Sequence, residues 1–78
     1  MSAAEDLLAV VRLLVDDPRA ARVETLPGDG EWLLEVDVAP ADRGKVIGRR
    51  GRTIESLRAL AAARPLEQGR SYEVELVD

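Results

Sequence analysis

The chain has 78 residues, of which 46% are hydrophobic and 33% charged, a balance that predicts one small folded domain over residues 1 to 78. It contains no cysteine and no histidine, which excludes disulfides, thiolate metal sites and the commonest general base. No apolar run approaches the ~20 residues needed to cross a bilayer, and the N-terminus lacks the features of a signal peptide. We therefore expect a cytoplasmic protein without metal or cofactor.

The N-terminal segment is predicted to form a helix over about residues 3 to 15. Ser2 and Glu5 match a capping box, in which each side chain accepts a hydrogen bond from a free backbone N–H at the helix start. Apolar residues then recur at helical spacing, among them Leu7 and Val11. Proline disfavours helical backbone in the residue before it, so Pro18 ends this element.

Two strands joined by a turn follow the first helix. Residues 21 to 26 alternate in polarity, and the turn-forming segment 27 to 30 reads Pro-Gly-Asp-Gly. In the next strand Leu34, Val36 and Val38 share one face with Trp32, which we interpret as a packing residue at the sheet edge. The pattern is typical of a hairpin with one inner face.

The second half of the chain contains two further helices and a strand. Residues 41 to 47 are predicted to form a short helix that Gly48 and Gly51 interrupt, residues 52 to 63 a longer one, and residues 72 to 77 a strand. The order α-β-β-α-α-β predicts an α+β fold, a three-stranded sheet with three helices packed on one face.

Charge is distributed unevenly along the chain. The segment from Arg43 to Arg58 carries six cations and one anion, a net charge of +5, whereas the remaining residues carry five cations and fourteen anions, a net charge of -9. The formal net charge of -4 alone would argue against a nucleic-acid ligand. The clustering of cations in one segment favours such a ligand.

The loop from Gly48 to Gly51 has the features of a phosphate site. Two glycines three residues apart allow a sharp turn and close approach of a ligand to the backbone. The loop opens a helix, whose free N–H groups and dipole favour an anion. Arg49 and Arg50 at its tip add forked donors suited to phosphate oxygens.

The segment around this loop resembles the KH family. Ile47, Gly48, Gly51 and Ile54 match its Ile-Gly-x-x-Gly-x-x-Ile signature, and the element order is similar to the type II, or prokaryotic, arrangement. The stretch 36 to 48 and the chain length are similar to the single-domain bacterial members of the KhpA type. The Arg-Arg loop tip and the Ala-rich helix from Ala59 differ from the pattern expected of that family.

The resemblance implies a domain that clamps the backbone of a short single-stranded RNA, without excluding DNA, while aliphatic residues read the bases. It implies a homodimer, or a heterodimer with a KhpB-like KH protein, and a role in post-transcriptional regulation and cell shape. The predicted nucleic-acid-binding residues are Lys45, Ile47, Gly48, Arg49, Arg50, Gly51 and Arg52, with Arg43 and Arg58 as candidates for additional contacts.

Several of these residues have an alternative interpretation. Arg43, Arg52 and Arg58 are equally consistent with a solvated helix face, in which Arg52 or Arg58 pairs with Glu55. Ile54 is expected in the core, whereas Ile47 is expected to border the base groove. Small side chains allow close helix approach, so the predicted dimer interface consists of Ala59, Ala61 and Ala62.

Two classes of function are consistent with the sequence. The first is a non-catalytic nucleic-acid-binding module, and the second is a dimerising protein-interaction adaptor with weak or no nucleic-acid binding. An enzyme is disfavoured because no Gly-Lys-Ser/Thr motif follows the glycines and because acidic pairs such as Glu73 and Glu75 alternate onto an outer strand face.

Overall fold

A computed structural model describes residues 2–78, and Met1 lies outside the described part of the chain. The element order α-β-β-α-α-β confirms the predicted α+β class. Short 3-10 turns at Pro18–Ala20, Pro40–Asp42 and Arg49–Gly51 separate the main elements. These elements are α1 (Ala3–Leu14), β1 (Arg22–Pro27), β2 (Glu31–Asp37), α2 (Arg43–Ile47), α3 (Arg52–Ala62) and β3 (Ser71–Leu76).

The first helix begins with the predicted capping box. Glu5 N donates to Ser2 Oγ at 3.1 Å, and Ser2 N donates to Glu5 Oε1 at 3.0 Å, so two otherwise free helix-start donors are satisfied. The bonds to Ser2 hold the pKa of the Glu5 carboxyl below its ordinary value. The helix ends one residue before the predicted position, because Val15 already has extended backbone.

The sheet is mixed, with strand order β1-β2-β3. β1 and β2 pair as the predicted antiparallel hairpin, whereas β3 pairs in parallel with β2. A parallel pair needs a long crossover connection, and here the crossover consists of α2, the glycine loop and α3.

The core lies between the inner sheet face and the helices. The predicted alternation in the second strand is confirmed, since Leu34, Val36 and Val38 are buried. The inner face of β1 is covered less completely, because Val23 is half-buried and Thr25 is exposed. α1 packs against β1 and α3 against β3, whereas α2 lies mainly against α3 and α1. No helix in residues 2–78 is both long and apolar enough to span a membrane.

The outer sheet face carries a row of carboxylates. Glu35 on β2 is the register partner of Glu24 on β1 and of Glu75 on β3, so three acidic side chains lie side by side across the sheet. Part of the negative charge outside the segment from Arg43 to Arg58 therefore lies in a row across the sheet.

Candidate nucleic-acid interface

The loop Gly48–Gly51 leaves α2 and enters α3 through backbone conformations that depend on glycine. Gly48 has φ 76° and ψ 171°, and Gly51 has φ 73° and ψ 14°. Arg50 between them also lies in the left-handed region, at φ 58° and ψ 25°. Such a conformation costs a non-glycine residue on the order of 1 kcal/mol, and strain of this kind is concentrated at functional sites.

Only part of the loop backbone is available to a ligand. Gly48 N already donates to Gly44 O at 2.8 Å, and Gly51 N donates to Gly48 O at 3.1 Å. The N–H groups of Arg49 and Arg50 take part in none of the hydrogen bonds of the described residues. The predicted backbone donors are therefore narrowed to these two amides, which lie at the loop tip.

The predicted cations fall into two groups in the structure. Arg49, Arg50 and Arg52 are exposed and form no ion pair within residues 2–78. Arg58 instead pairs with Glu55 at 3.5 Å, as the alternative interpretation predicted, and its Nε donates to the Val74 carbonyl oxygen at 3.4 Å. The loop tip and the start of α3 thus carry three predicted cations that are both exposed and without an ion pair among the described residues.

Lys45 and Arg43 lie on α2, away from this unpaired group. Lys45 Nζ is 3.0 Å from Asp16 Oδ2 and 3.6 Å from Asp42 Oδ1. The hydrogen bond to Asp16 is the main reason that the pKa of Lys45 is raised. Arg43 is half-buried, and its Nε is buried without a hydrogen-bond partner. Lys45 is therefore held by two carboxylates and Arg43 is half-buried, whereas the loop-tip arginines are exposed.

A buried carboxylate that sequence reasoning missed lies at the start of α2. Asp42 is 2% exposed and accepts hydrogen bonds from Asp16 N and Asp17 N at 3.2 and 3.0 Å. The bond from Asp17 N is the main reason that its pKa is lowered, against the opposing effect of burial. The available sequence signal was its position three residues before Lys45, which is the spacing of a helical ion pair.

Of the two isoleucines of the motif, Ile54 lies in the core as predicted, whereas a base groove beside Ile47 stays a prediction. Ile47 is 42% exposed beside the loop, whereas Ile54 is buried at 7% exposure. A shallow concavity between α3 and β3 is lined by Arg58, Ala62, Tyr72 and Val74, and Ile47 lies outside it. Ile47 therefore offers an apolar surface next to the loop, separate from that concavity.

The alanines of the predicted dimer interface point in different directions. Ala59 and Ala62 are exposed, but Ala61 is 4% exposed within the chain. Ala61 lies in the floor of an apolar groove between α1 and α3, and the exposed side chains of Val10 and Leu60 flank that groove. Helical periodicity places every third or fourth residue inward, which separates Ala61 from its neighbours.

Trp32 is a packing residue, as expected. Its Nε1 donates to the Glu67 carbonyl oxygen at 2.9 Å, and the Arg70 guanidinium lies 5.0 Å from its ring centroid. Among residues 2–78 no group of three or more acidic side chains is arranged to hold a metal ion.

A glycine loop that joins two helices across a mixed three-stranded sheet, in the order α-β-β-α-α-β, defines a KH domain of the type II arrangement. A family profile described as "KhpA/KhpB, KH domain" matches residues 4–76. The chain belongs to this family.

Relatives in several bacteria cover almost the full length of the chain. An RNA-binding protein KhpA of Treponema pallidum is 40% identical over 95% of this chain and 94% of its own. The KhpA of Leifsonia xyli subsp. xyli is 44% identical over 92% of each chain, and that of Caldanaerobacter subterraneus subsp. tengcongensis is 37% identical over 87% of this chain and 91% of its own. No solved structure gives a significant match.

Proposed function

We propose that the chain acts as a single, non-catalytic KH domain that holds a short single-stranded RNA at the loop Gly48–Gly51. One observation carries the proposal. Within residues 2–78, the backbone amides of Arg49 and Arg50 form no hydrogen bond, and the side chains of Arg49, Arg50 and Arg52 form no ion pair, on a chain that is otherwise acidic. The relatives named RNA-binding protein KhpA support RNA as the ligand.

The loop would bind the RNA backbone through both hydrogen bonds and charge. The amides of Arg49 and Arg50 donate to a phosphate oxygen, and their guanidinium groups neutralise adjacent phosphates. Arg52 at the start of α3 adds a third cation, with the positive end of the helix dipole behind it. Lys45 contributes less, because Asp16 and Asp42 already offset its charge. Arg43 and Arg58 are secondary candidates.

Base contact is assigned to the exposed part of Ile47. An aliphatic surface contacts bases without strong selection among them, so specificity would arise from the path of the strand beside the loop. One domain contacts few phosphates, and its affinity for RNA is expected to be modest unless a second site is joined to it. A KhpB-like partner or a second copy of the chain would supply that site, in a cytoplasmic role in post-transcriptional regulation.

The test is fluorescence anisotropy of labelled single-stranded RNA with wild type and with Arg49→Asp/Arg50→Asp. Arg12→Asp/Arg19→Asp is the matched control, because it makes the same change in net charge at two exposed arginines outside the loop. We expect the loop variant to lose binding by at least about tenfold while the control stays within about threefold of wild type. Equal losses in both variants would contradict a loop site. A DNA strand of the same sequence tests the choice between RNA and DNA.

A second candidate function is a dimerising adaptor, and the groove between α1 and α3 favours it. Leu60 is 63% exposed at the groove, close to Val10 at 37% exposure, and the Asp6 carboxylate and Arg64 guanidinium form an ion pair among the groove-lining residues. The exposed Ala59 and Ala62 lie on α3 outside this groove, where their small side chains would allow a second helix to approach closely. A contact between chains through Ala61 is less favoured, because Ala61 is already buried within one chain.

Sedimentation of Leu60→Arg tests this second function. Leu66→Arg is its control, since Leu66 is 64% exposed but lies outside the groove. The expected result is a wild-type dimer that Leu60→Arg converts to a monomer and Leu66→Arg leaves intact. A wild-type chain that is monomeric at all concentrations would contradict the homodimer. A dimer in both variants would show that the groove is not part of the dimer interface.

A further inference from the structure

Among residues 2–78, Asp42 is the one charged residue that is buried. It lies directly before α2, the helix that leads into the glycine loop. Its two carboxylate oxygens accept hydrogen bonds from the backbone N–H groups of Asp16 and Asp17. The Lys45 ammonium lies 3.6 Å from Oδ1. The carboxylate therefore has three partners although almost none of it reaches solvent.

These partners connect distant parts of the sequence. The two amide donors belong to the segment after α1 and are separated from Asp42 by 26 and 25 residues. Burial of a carboxylate is costly unless hydrogen bonds and an opposite charge satisfy it, as they do here. Asp42 thus ties the end of α1 to the start of α2.

The second helix depends on such external contacts. It has only five residues, Arg43–Ile47, far fewer than an isolated helix needs in water. The Val46 side chain, which is 0% exposed, packs this helix into the core, and Asp42 is buried at its start. The last turn then holds the loop directly, because Gly48 N donates to Gly44 O. A single helical turn therefore joins Asp42 to the loop.

We propose that Asp42 is a positioning residue for the loop Gly48–Gly51, which it orients by fixing α2 against the segment after α1. The inference rests on the proposed function for its effect on RNA binding, and it names a residue that would touch no RNA itself. The role differs from ordinary core packing because its consequence is largest at α2 and the loop.

Charge and positioning make opposite predictions for Asp42→Asn. The substitution keeps the shape of the side chain but removes a negative charge, which by itself would tighten binding of a polyanion. It also turns one acceptor into an amide that faces a backbone N–H, so one bond to Asp16 or Asp17 is lost. Weaker binding by this variant can therefore not be a charge effect.

The first measurement is RNA affinity by anisotropy, at a temperature where circular dichroism shows each variant to be folded. We expect Asp42→Asn to bind about tenfold more weakly, the equivalent of one lost charge-assisted hydrogen bond to phosphate. Asp29→Asn, at an exposed turn, controls for charge, and Leu7→Val, a core truncation in the first half of α1, controls for stability. Binding by Asp42→Asn within about twofold of wild type, or an equal loss in Leu7→Val, would overturn the proposal.

The second measurement is amide hydrogen exchange in the absence of RNA. We expect Asp42→Asn to accelerate exchange of the bonded Gly48 and Gly51 amides more than that of β2, whereas Leu7→Val should accelerate all of them together. Equal acceleration of amide exchange in the loop and in β2 of Asp42→Asn would contradict the positioning role. This readout is independent of RNA, so it decides the inference even where wild type binds none and the proposed function fails. If Asp42→Asn does not fold, Asp42→Ser is measured in its place, because serine keeps one acceptor at a position suited to helix capping. The same results are then expected, and the same results would contradict the proposal.

Discussion

Gly48 lies so close to Thr53 that a Cβ atom on it would overlap the Thr53 hydroxyl and come within 2.9 Å of the Thr53 backbone nitrogen. Gly48 also has a positive φ of 76°. The sharp entry from α2 into the loop thus requires a residue without a side chain, for both conformational and steric reasons.

Gly48→Ala should therefore destabilise the domain and weaken RNA binding together. We expect a loss of about 1–3 kcal/mol in the free energy of unfolding, measured by urea denaturation. Gly44→Ala is the matched control, because a Cβ at Gly44 meets nothing within 4 Å and its φ is not positive. That variant should gain about 0.5–1 kcal/mol, since alanine favours helix. Equal effects of the two substitutions would contradict the steric account of the loop.

The salt dependence of RNA binding should count the arginines that contact phosphate. If Arg49, Arg50 and Arg52 each neutralise one phosphate of a single strand, the slope of log K against log salt is about -2. Arg50→Gln should reduce its magnitude by about 0.7. Ile47→Ala should weaken binding without changing the slope, because it removes apolar contact and no charge. A slope unchanged in Arg50→Gln would place the phosphate elsewhere.

The stabilising effect of Asp42 should disappear in acid. Because the folded state lowers the pKa of its carboxyl, the unfolded chain binds the proton more readily, and the contribution is complete above the unfolded value of about 4. It is lost as the pH falls below about 4 toward the folded pKa. The difference in unfolding free energy between wild type and Asp42→Asn should thus be constant from about pH 5 to 8 and shrink below about pH 4.

Urea denaturation across this pH range measures that difference. The Lys45 ammonium, 3.6 Å from Asp42 Oδ1, stays charged in both proteins across this range, because its pKa is raised. Asp29→Asn should run parallel to wild type throughout. A difference that persists at about pH 2.5, well below the unfolded carboxyl pKa, would mean that the Asp42 side chain stabilises the fold by shape rather than by charge.

Neutralising the middle of the carboxylate row should stabilise the sheet. Like charges directly opposite each other on neighbouring strands are destabilising, and Glu35 faces both Glu24 and Glu75. Glu35→Gln is expected to raise the free energy of unfolding by roughly 0.2–1 kcal/mol for each relieved pair. The gain should shrink at high salt, which screens these charges. Asp29→Asn, which lies outside the strands, should show no gain.

Much of the fold could be predicted because its signals are local. The capping box at Ser2 and Glu5, Pro18 after α1 and the alternation around Leu34 each specify an element within a few residues. The boundaries differed by one or two residues: Val15 already has extended backbone, and the helix predicted from residue 41 begins at Arg43, after the 3-10 turn Pro40–Asp42. The parallel pairing of β3 with β2 could not be predicted from local signals, because it depends on how α2 and α3 cross the sheet.

The candidate site shows the same division. Gly48 and Gly51 could be identified from sequence, since their spacing reports on backbone conformation. That Lys45 is held by Asp16, that Arg58 covers a β3 carbonyl, and that Ala61 faces the core could not be read from composition. Each depends on a neighbour supplied by another element.

The sequence by itself determined the order of elements, the conformation of the glycine loop and the concentration of positive charge in one segment, because these follow from residue type and near-neighbour spacing. Only the tertiary structure decided which of those charges stay unpaired and that Asp42 is buried against the Asp16 and Asp17 amides. The physical reason is that the pairing and burial of a charge depend on groups that folding brings together from distant parts of the chain.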